Sequence, residues 1–376
     1  MRDDPRLDVH MLVTGAHLST EFGGTVDLIR ELGLPCVEVE SLLSSDTDVG
    51  MAKTIGIAVL GLADALADMR PDLILLVADR YEMLAPASTA LALRIPIAHI
   101  EGGEVSEGAI DEAVRNALTK MSHLHFTPTT LARDRVIAMG EEPWRVHCTG
   151  APSIDYLTNT KLLDAGLLES RISHSLKPPI IVVAYHPLTI SGDTLIELDA
   201  FFAALEQVEG TLVFCFPNAD AGSRTIIERA SRFCADRVDA HLHVNLPPAL
   251  YWSLLASADV MLGNSSSGIM ETPSLGLPCV NVGDRQRGRQ RAANIIDTPA
   301  DSFAIMSAVA RAMTEEYREQ LKGLVNPYGS GQAGKKIARL LSEAPDRDRL
   351  LQKRALPVEA GNDMDELPHF RNLDDS

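Results

Sequence analysis

Short apolar runs alternate with amphipathic stretches along most of the chain. Residues 7–13, 35–39, 72–77, 95–100, 123–126 and 146–148 are brief, apolar and rich in β-branched side chains, as strands covered on both faces should be. Between them, residues 25–32, 82–93 and 110–121 carry apolar positions at helical spacing. Such βαβ alternation predicts a doubly wound parallel sheet. A second series, at 180–185, 212–216, 241–244, 259–262 and 279–282, follows the polar, proline-bearing segment 171–179. The pattern therefore predicts an α/β protein of two Rossmann-like doubly wound domains, residues 1–170 and 180–325, joined by a linker at 171–179. A ligand cleft is expected between the carboxyl ends of the two sheets. Residues 326–345 are expected to form a terminal helix that packs back on the first domain, and 346–376 an acidic, largely disordered tail.

Composition narrows the partners. At 376 residues the chain exceeds one typical domain. A formal net charge of −18 argues against a general nucleic-acid binder, so an anionic ligand must be held by local groups. Cys36, Cys148, Cys215, Cys234 and Cys279 are scattered without CxxC spacing and read as reduced thiols of a cytoplasmic protein. The longest apolar stretch, near residues 55–67, is interrupted by glycine and Asp64 and reads as too short to span a bilayer, so a protein without a membrane partner is expected.

The segment ADVMLGNSSSGIME, residues 258–271, reads as a strand end, a glycine-serine turn and a helix start. Gly263 and Gly268 free its backbone. Outward N–H groups with the hydroxyls of Ser265 and Ser266 would suit a phosphate, and Glu271 could accept from ribose hydroxyls. An ordinary Ser/Asn helix cap explains the same residues. In the first half Asp79 (VADRYE) and Glu101 (HIEGGE) follow strands and should project from one sheet edge, with Asp111 (EGAIDEA) close behind. Neighbouring carboxylates raise one another's pKa, so such a set can hold both a base and an acid. The plain alternatives are an Asp79 pairing with Arg80 or a helix cap, and a first-turn charge at Asp111. Gly102 and Gly103 are expected to let a ligand approach Glu101. His186 ends the first strand of the second series, and Pro187 turns the chain out of the sheet. The pairs His123/His125 and His241/His243 lack a third ligand at helical spacing, and no metal is expected. Serine-hydrolase elbow and Walker sequences are absent from the chain. Arg285, Arg287, Arg289 and Arg291 follow a strand in GDRQRGRQR and could reach a pyrophosphate at the 263–268 turn.

In order along the chain, TGAHLSTEFG, ADRYE, HIEGGEVSEGAIDE, TKMSHLHF, YHP, FPNADAGS, GNSSSGIME and GDRQRGR resemble the hydrolysing UDP-N-acetylglucosamine 2-epimerases, over roughly residues 7–340. The resemblance implies a glycosyltransferase-B-like fold. It implies an elimination that removes UDP, followed by hydration, releasing N-acetylmannosamine for sialic-acid-like sugar synthesis without metal or redox cofactor. By motif position, Asp79, Glu101, Asp111 and His186 fall on the family's catalytic residues. Ser265, Ser266, Gly268, Glu271, Arg285 and Asn218 fall on its UDP-binding residues. Non-hydrolysing relatives carry an EAGLRT-like sequence where this chain has EGGE, which favours hydrolysis. Alternatives are a hydrolysing 2-epimerase of UDP-2,4-diacetamido-2,4,6-trideoxyhexose (the legionaminic acid pathway), a UDP-sugar glycosyltransferase, and a nucleotide-sugar-binding protein that has lost catalysis. A homodimer or homotetramer is implied. Family members begin with a further strand and helix, whereas residues 7–13 correspond to their second strand. An interior strand of the first sheet is thus expected to be missing, and a longer chain to be more stable and more active.

Overall fold

The computed structural model describes residues 1–19, 24–43, 47–77, 79–107, 109–187, 194–216 and 223–354. Its first half runs β1 (Met11–Thr14), α1 (Val26–Arg30), β2 (Cys36–Val39), α2 (Asp48–Met69), β3 (Ile74–Val77), α3 (Leu84–Ala92), β4 (Ile97–Ile100), α4 (Asp111–Met121), β5 (Leu124–Thr127), α5 (Thr130–Ala138), β6 (Val146–Cys148), α6 (Pro152–Asn159) and α7 (Ala165–Ile172). The second half runs β7 (Ile180–Ala184), α8 (Thr194–Leu205), β8 (Thr211–Phe216), α9 (Ser223–Asp236), β9 (Ala240–Val244), α10 (Pro248–Ser257), β10 (Val260–Gly263), α11 (Ser266–Met270), β11 (Cys279–Val282), β12 (Ile295–Thr298), α12 (Ser302–Ala312), α13 (Glu315–Gln320), α14 (Ala333–Ser342) and α15 (Arg347–Leu351).

All ladders among the described residues are parallel. The second half forms one six-stranded sheet in the order β12-β11-β10-β7-β8-β9. Its centre shows why an unbroken apolar run is needed there. Ile181 and Val183 of β7 enter the core on one face with Phe201 and Phe214, while Val182 and Ala184 enter the other with Leu254 and Leu255. Chain order reverses between β7 and β10, which makes their carboxyl ends the topological switch point.

The first half is divided. β3-β4-β5-β6 form one sheet, and β1-β2 form a separate pair; among the described residues no ladder joins β1 to β3. Leu12 of β1 nevertheless packs with Ile74 and Leu76 of β3 beneath α2 and α3. Helix α2 is longer than its interrupted sequence suggests, 22 residues, and by length and composition could cross a membrane. Of the two glycines that seemed to break it, Gly61 has a packing reason, because a Cβ there would lie 2.6 Å from the Val39 side chain, whereas one on Gly56 would meet nothing within 4 Å. One face, with Ala58, Leu62 and Leu66, is buried. The other leaves Val49, Ile57 and Leu60 exposed.

Three further features differ from the sequence pattern. Strand β12, which the hydrophobic pattern did not mark, closes the second sheet against β11. Helix α7 runs into the expected linker at 171–179, and its Leu168 and Ile172 pack into the core of the second sheet. Within the segment read as a disordered tail, α15 is an ordered helix whose Leu350 is buried with Phe126 and Ile337. It is held because the buried Arg145 guanidinium donates to the carbonyls of Leu350 (2.9 Å) and Gln352 (2.9 Å). Residues 355–376 lie outside the described residues. Ile337 of α14 likewise packs against β4 and β5 of the first domain.

Candidate active site

Each sheet delivers its polar residues from adjacent strand ends. Asp79 follows β3 and Glu101 follows its neighbour β4. In the second sheet, His186, Asn264 and Arg285 follow β7, β10 and β11, three consecutive strands at the switch point. In a parallel sheet, residues just past such ends share one rim.

Asp79 does not pair with Arg80, which is taken by Glu82 (3.1 Å). It is instead ion-paired to Arg115 of α4. Burial opposes ionisation of Asp79, but Arg115, Arg289 and Arg285 outweigh it and hold the carboxyl below the ordinary aspartate range. Glu101 is pushed the other way. Burial, then the charge of Asp79 and more weakly that of Glu104, lift it to about 7, against the opposing pull of Arg289 and Arg115. Its backbone is left-handed, with φ 68°, and its N–H donates to the Phe126 carbonyl at 2.9 Å.

The glycines after Glu101 serve the protein's own packing rather than a ligand's approach. A Cβ on Gly103 (φ +80°) would stand 2.1 Å from the Ala132 carbonyl oxygen of α5, and one on Gly102 would crowd Thr119 and His99. Gly268 is explained the same way, since a Cβ there would lie 2.7 Å from Cys279 Sγ of β11. At Gly263 it would lie 2.0 Å from the Ala184 carbonyl oxygen of β7. These positions bring elements together; they are not openings.

Asn264 is a residue that sequence reasoning passed over as part of a cap. Its amide Oδ1 accepts from the His186 N–H (2.7 Å) and its Nδ2 donates to the His186 carbonyl (2.9 Å). Its own carbonyl accepts from Arg285 Nη1 (3.2 Å) and Gln286 Nε2 (2.9 Å). The buried Asn264 side chain thus ties the ends of β7 and β10 together, while its backbone carbonyl holds the arginine loop. Arg285 then reaches across to the first domain, with Nη2 3.8 Å from Asp111 Oδ2 at the start of α4.

The four arginines of GDRQRGRQR alternate between inside and outside. Arg285 and Arg289 are buried. Arg289 donates from Nε to the Val105 carbonyl (3.0 Å), with Nη1 4.0 Å from Glu104. Arg287 and Arg291 pair on the outside with Glu107 (3.2 Å) and Asp297 (2.6 Å). Arg135 of α5 spans the two domains, donating to the carbonyls of Gly103 and Gly288, each at 3.2 Å.

In the 263–271 turn the helix α11 begins at Ser266 and lasts five residues. Ser265 caps it, its hydroxyl accepting from the Ser267 N–H at 3.4 Å. Glu271 accepts from Ser267 Oγ (2.5 Å), and that hydroxyl is 2.6 Å from Tyr251 Oη. Burial pushes the Glu271 carboxyl up, and the bond from Ser267 partly offsets the rise. Asn218 lies outside the described residues. Neither histidine pair of the sequence pattern joins this rim. His123 Nδ1 accepts from the Ile97 N–H (3.0 Å), His125 meets the buried Glu141 (3.2 Å), and His241 stacks on His174 at 3.9 Å.

The arrangement therefore brings two carboxylates pushed in opposite directions, Asp79 and Glu101, and a third, Asp111, toward inward-facing arginines at the domain junction, with His186 tied to the same rim as Arg285 through Asn264. Such a set can move protons at carbon while stabilising a leaving anion.

The family model described as UDP-N-acetylglucosamine 2-epimerase matches residues 1–342. The GDP/UDP-N,N'-diacetylbacillosamine 2-epimerase (hydrolyzing) of Campylobacter jejuni is 35% identical, the match covering 94% of this chain and 92% of the relative. The UDP-N,N'-diacetylbacillosamine 2-epimerase (hydrolyzing) of Legionella pneumophila is 34% identical, over 92% and 91% respectively. The crystal structure of UDP-GlcNAc 2-epimerase from Neisseria meningitidis, bound to UDP-GlcNAc, matches in fold with a TM-score of 0.70 at 18% identity. That match covers 90% of this chain and all of the other.

Proposed function

Because the chain belongs to the UDP-N-acetylglucosamine 2-epimerase family, we propose that it is a hydrolysing 2-epimerase. It converts a UDP-linked 2-acetamido sugar and water into UDP and the free 2-epimeric sugar. The observation that carries the reading is the approach of Arg285 and Arg289 from one domain to Asp79, Glu101 and Asp111 of the other. A base removes the proton on C2, the C1–O bond to UDP breaks, and a glycal forms. Water then adds its hydroxyl to C1, and a proton returns to the opposite face of C2. Glu101, at about 7, is suited to carry that proton at neutral pH. Asp79 stays anionic. Arg285 and His186 face the departing diphosphate, and Ser265, Ser266 and Glu271 hold the nucleotide.

For the sugar, UDP-N,N'-diacetylbacillosamine is favoured over UDP-N-acetylglucosamine, because relatives named for the former sugar match this chain at 35% and 34%. UDP-N-acetylglucosamine is the second reading, supported by a UDP-N-acetylglucosamine 2-epimerase of Neisseria meningitidis that is 29% identical over 83% of this chain. The test is kcat/KM for both sugar nucleotides in UDP and GDP form. A preference of tenfold or more, roughly 1.4 kcal/mol, for the UDP-linked diacetamido sugar supports the assignment. The reverse preference transfers it to the second reading, and turnover of neither would overturn the activity. We further propose that the chain is a homodimer joined through the exposed apolar face of α2.

A further inference from the structure

Arg115 is a cation in a place where cations are costly. Its side chain is 1% exposed, and a guanidinium removed from water needs several close acceptors to offset the loss of hydration. It has four. Nη2 bonds Asp79 and Ser106 Oγ (2.7 Å), and Nη1 bonds the Glu104 carbonyl (2.9 Å) and Glu112 Oε2 (2.7 Å). These acceptors come from the loop after β3, the loop after β4 and α4 itself. Arg115 also lies one helical turn beyond Asp111, so its helix carries a third carboxylate of the site. Glu112 Oε2 accepts from the Ser106 N–H as well (2.7 Å), which locks the loop to the same guanidinium.

Two carboxylates in one water-poor region would ordinarily share a proton. Here a permanent charge is bound to one of them. Resting on the functional reading above, we propose that Arg115 is a positioning residue: it fixes Asp79 as the permanent anion and leaves Glu101 as the carboxyl that exchanges protons, while tying both loops to α4. The charged groups around the pair are Arg285 and Arg289 from the second domain, with Glu104 beside Glu101. Arg115 is the cation of the set that belongs to the same domain as Asp79 and touches it directly. Its planar fork addresses Asp79 and Ser106 with one nitrogen and Glu104 and Glu112 with the other, a task that the single ammonium of lysine cannot reproduce.

The test needs no turnover for its first half. The full chain carrying 13C-carboxyl aspartate is titrated by NMR, with Asp79→Asn identifying the resonance, in the native protein, Arg115→Gln and Arg115→Lys. Asp79 is expected to titrate below the ordinary aspartate range in the native protein and in Arg115→Lys, and above it in Arg115→Gln. Unchanged Asp79 titration in Arg115→Gln overturns the proposal, whatever the protein acts on. Should Arg115→Gln fail to fold, Arg115→Lys decides. Retained Asp79 ionisation with kcat lowered about tenfold, and UDP affinity within about threefold of native, supports a positioning fork. Native kcat in that variant overturns it. Where turnover is measured in Arg115→Gln, the kcat–pH profile moves by about one unit or more; a fall in kcat with the profile unmoved marks Arg115 as merely structural. If no sugar nucleotide is turned over but Asp79 responds as expected, the functional reading fails and the electrostatic role stands.

Discussion

Glu101 and Asp79 occupy neighbouring strand ends, yet their surroundings push them in opposite directions. Glu101→Gln keeps shape and removes the proton carrier, so kcat should fall by on the order of a hundredfold or more, with UDP affinity nearly native by calorimetry; loss of UDP binding would make Glu101 architectural. The same variant has a stability signature. Because the folded carboxyl titrates at about 7, above its ordinary value, the stabilisation linked to its proton is fully present in acid and is lost as pH rises through about 7. Glu101→Gln should therefore melt above the native protein at pH 8, with the gap narrowing by pH 5. An equal gap at both pH values would contradict the elevated pKa. Asn264→Ala should release the His186 backbone while keeping the carbonyl that holds the arginine loop, and should weaken UDP binding, as Arg285→Ala should; unchanged UDP affinity in both would count against their place in the nucleotide site.

At the scale of elements, glycine is where sequence and structure part company. Gly102, Gly103 and Gly268 were legible as turn residues, but their reason was not, because it lies in Ala132, Thr119 and Cys279 on other elements. Gly103→Ala should thus cost stability in the native protein before any ligand is added; a variant that melts normally and loses only ligand binding would restore the reading of an opening for ligand. The carboxylates after β3 and β4 were visible because a strand's end is visible. Arg115 and Asn264 were not, since their partners stand 36 and 78 residues away. Strand β12 escaped notice because Ile295–Thr298 is four residues long and carries Asp297. The C-terminal helix α15 escaped because it is held by Arg145, stacked 4.2 Å over Trp144, rather than by its own pattern. Removing that buried guanidinium leaves several carbonyls without their donor, so Arg145→Ala should destabilise by about 3–5 kcal/mol in denaturant titration; a change within 0.5 kcal/mol would show that α15 is not clamped.

At the scale of the whole molecule, two features depend on how large surfaces meet. Helix α2 presents Leu60 at 73% exposure with Ile57 and Val49 on the same side. Lys53 stands toward one end of the helix, and Asp64 and Asp68 toward the other. An antiparallel pairing of two copies about Leu60 would set Lys53 near the partner copy's acids, the self-complementary pattern of a two-fold interface. Leu60→Glu should accordingly convert a dimer into monomers in analytical ultracentrifugation without abolishing the fold. A native protein that is monomeric at micromolar concentration would refute the interface. The other feature is the junction of the domains, where Arg135, Arg285, Arg287, Arg289 and Tyr328 cross from one to the other. On the proposed reading it completes the site, for Asp79, Glu101 and Asp111 stand on one domain and His186, Arg285 and Arg289 on the other. The most direct test of this assembled site is proton NMR of UDP-N,N'-diacetylbacillosamine and of UDP-N-acetylglucosamine incubated with the protein in D2O. The account predicts UDP together with a free 2-epimeric sugar carrying deuterium at C2. A free sugar that retains its C2 proton and configuration, or a 2-epimer still attached to UDP, would contradict it.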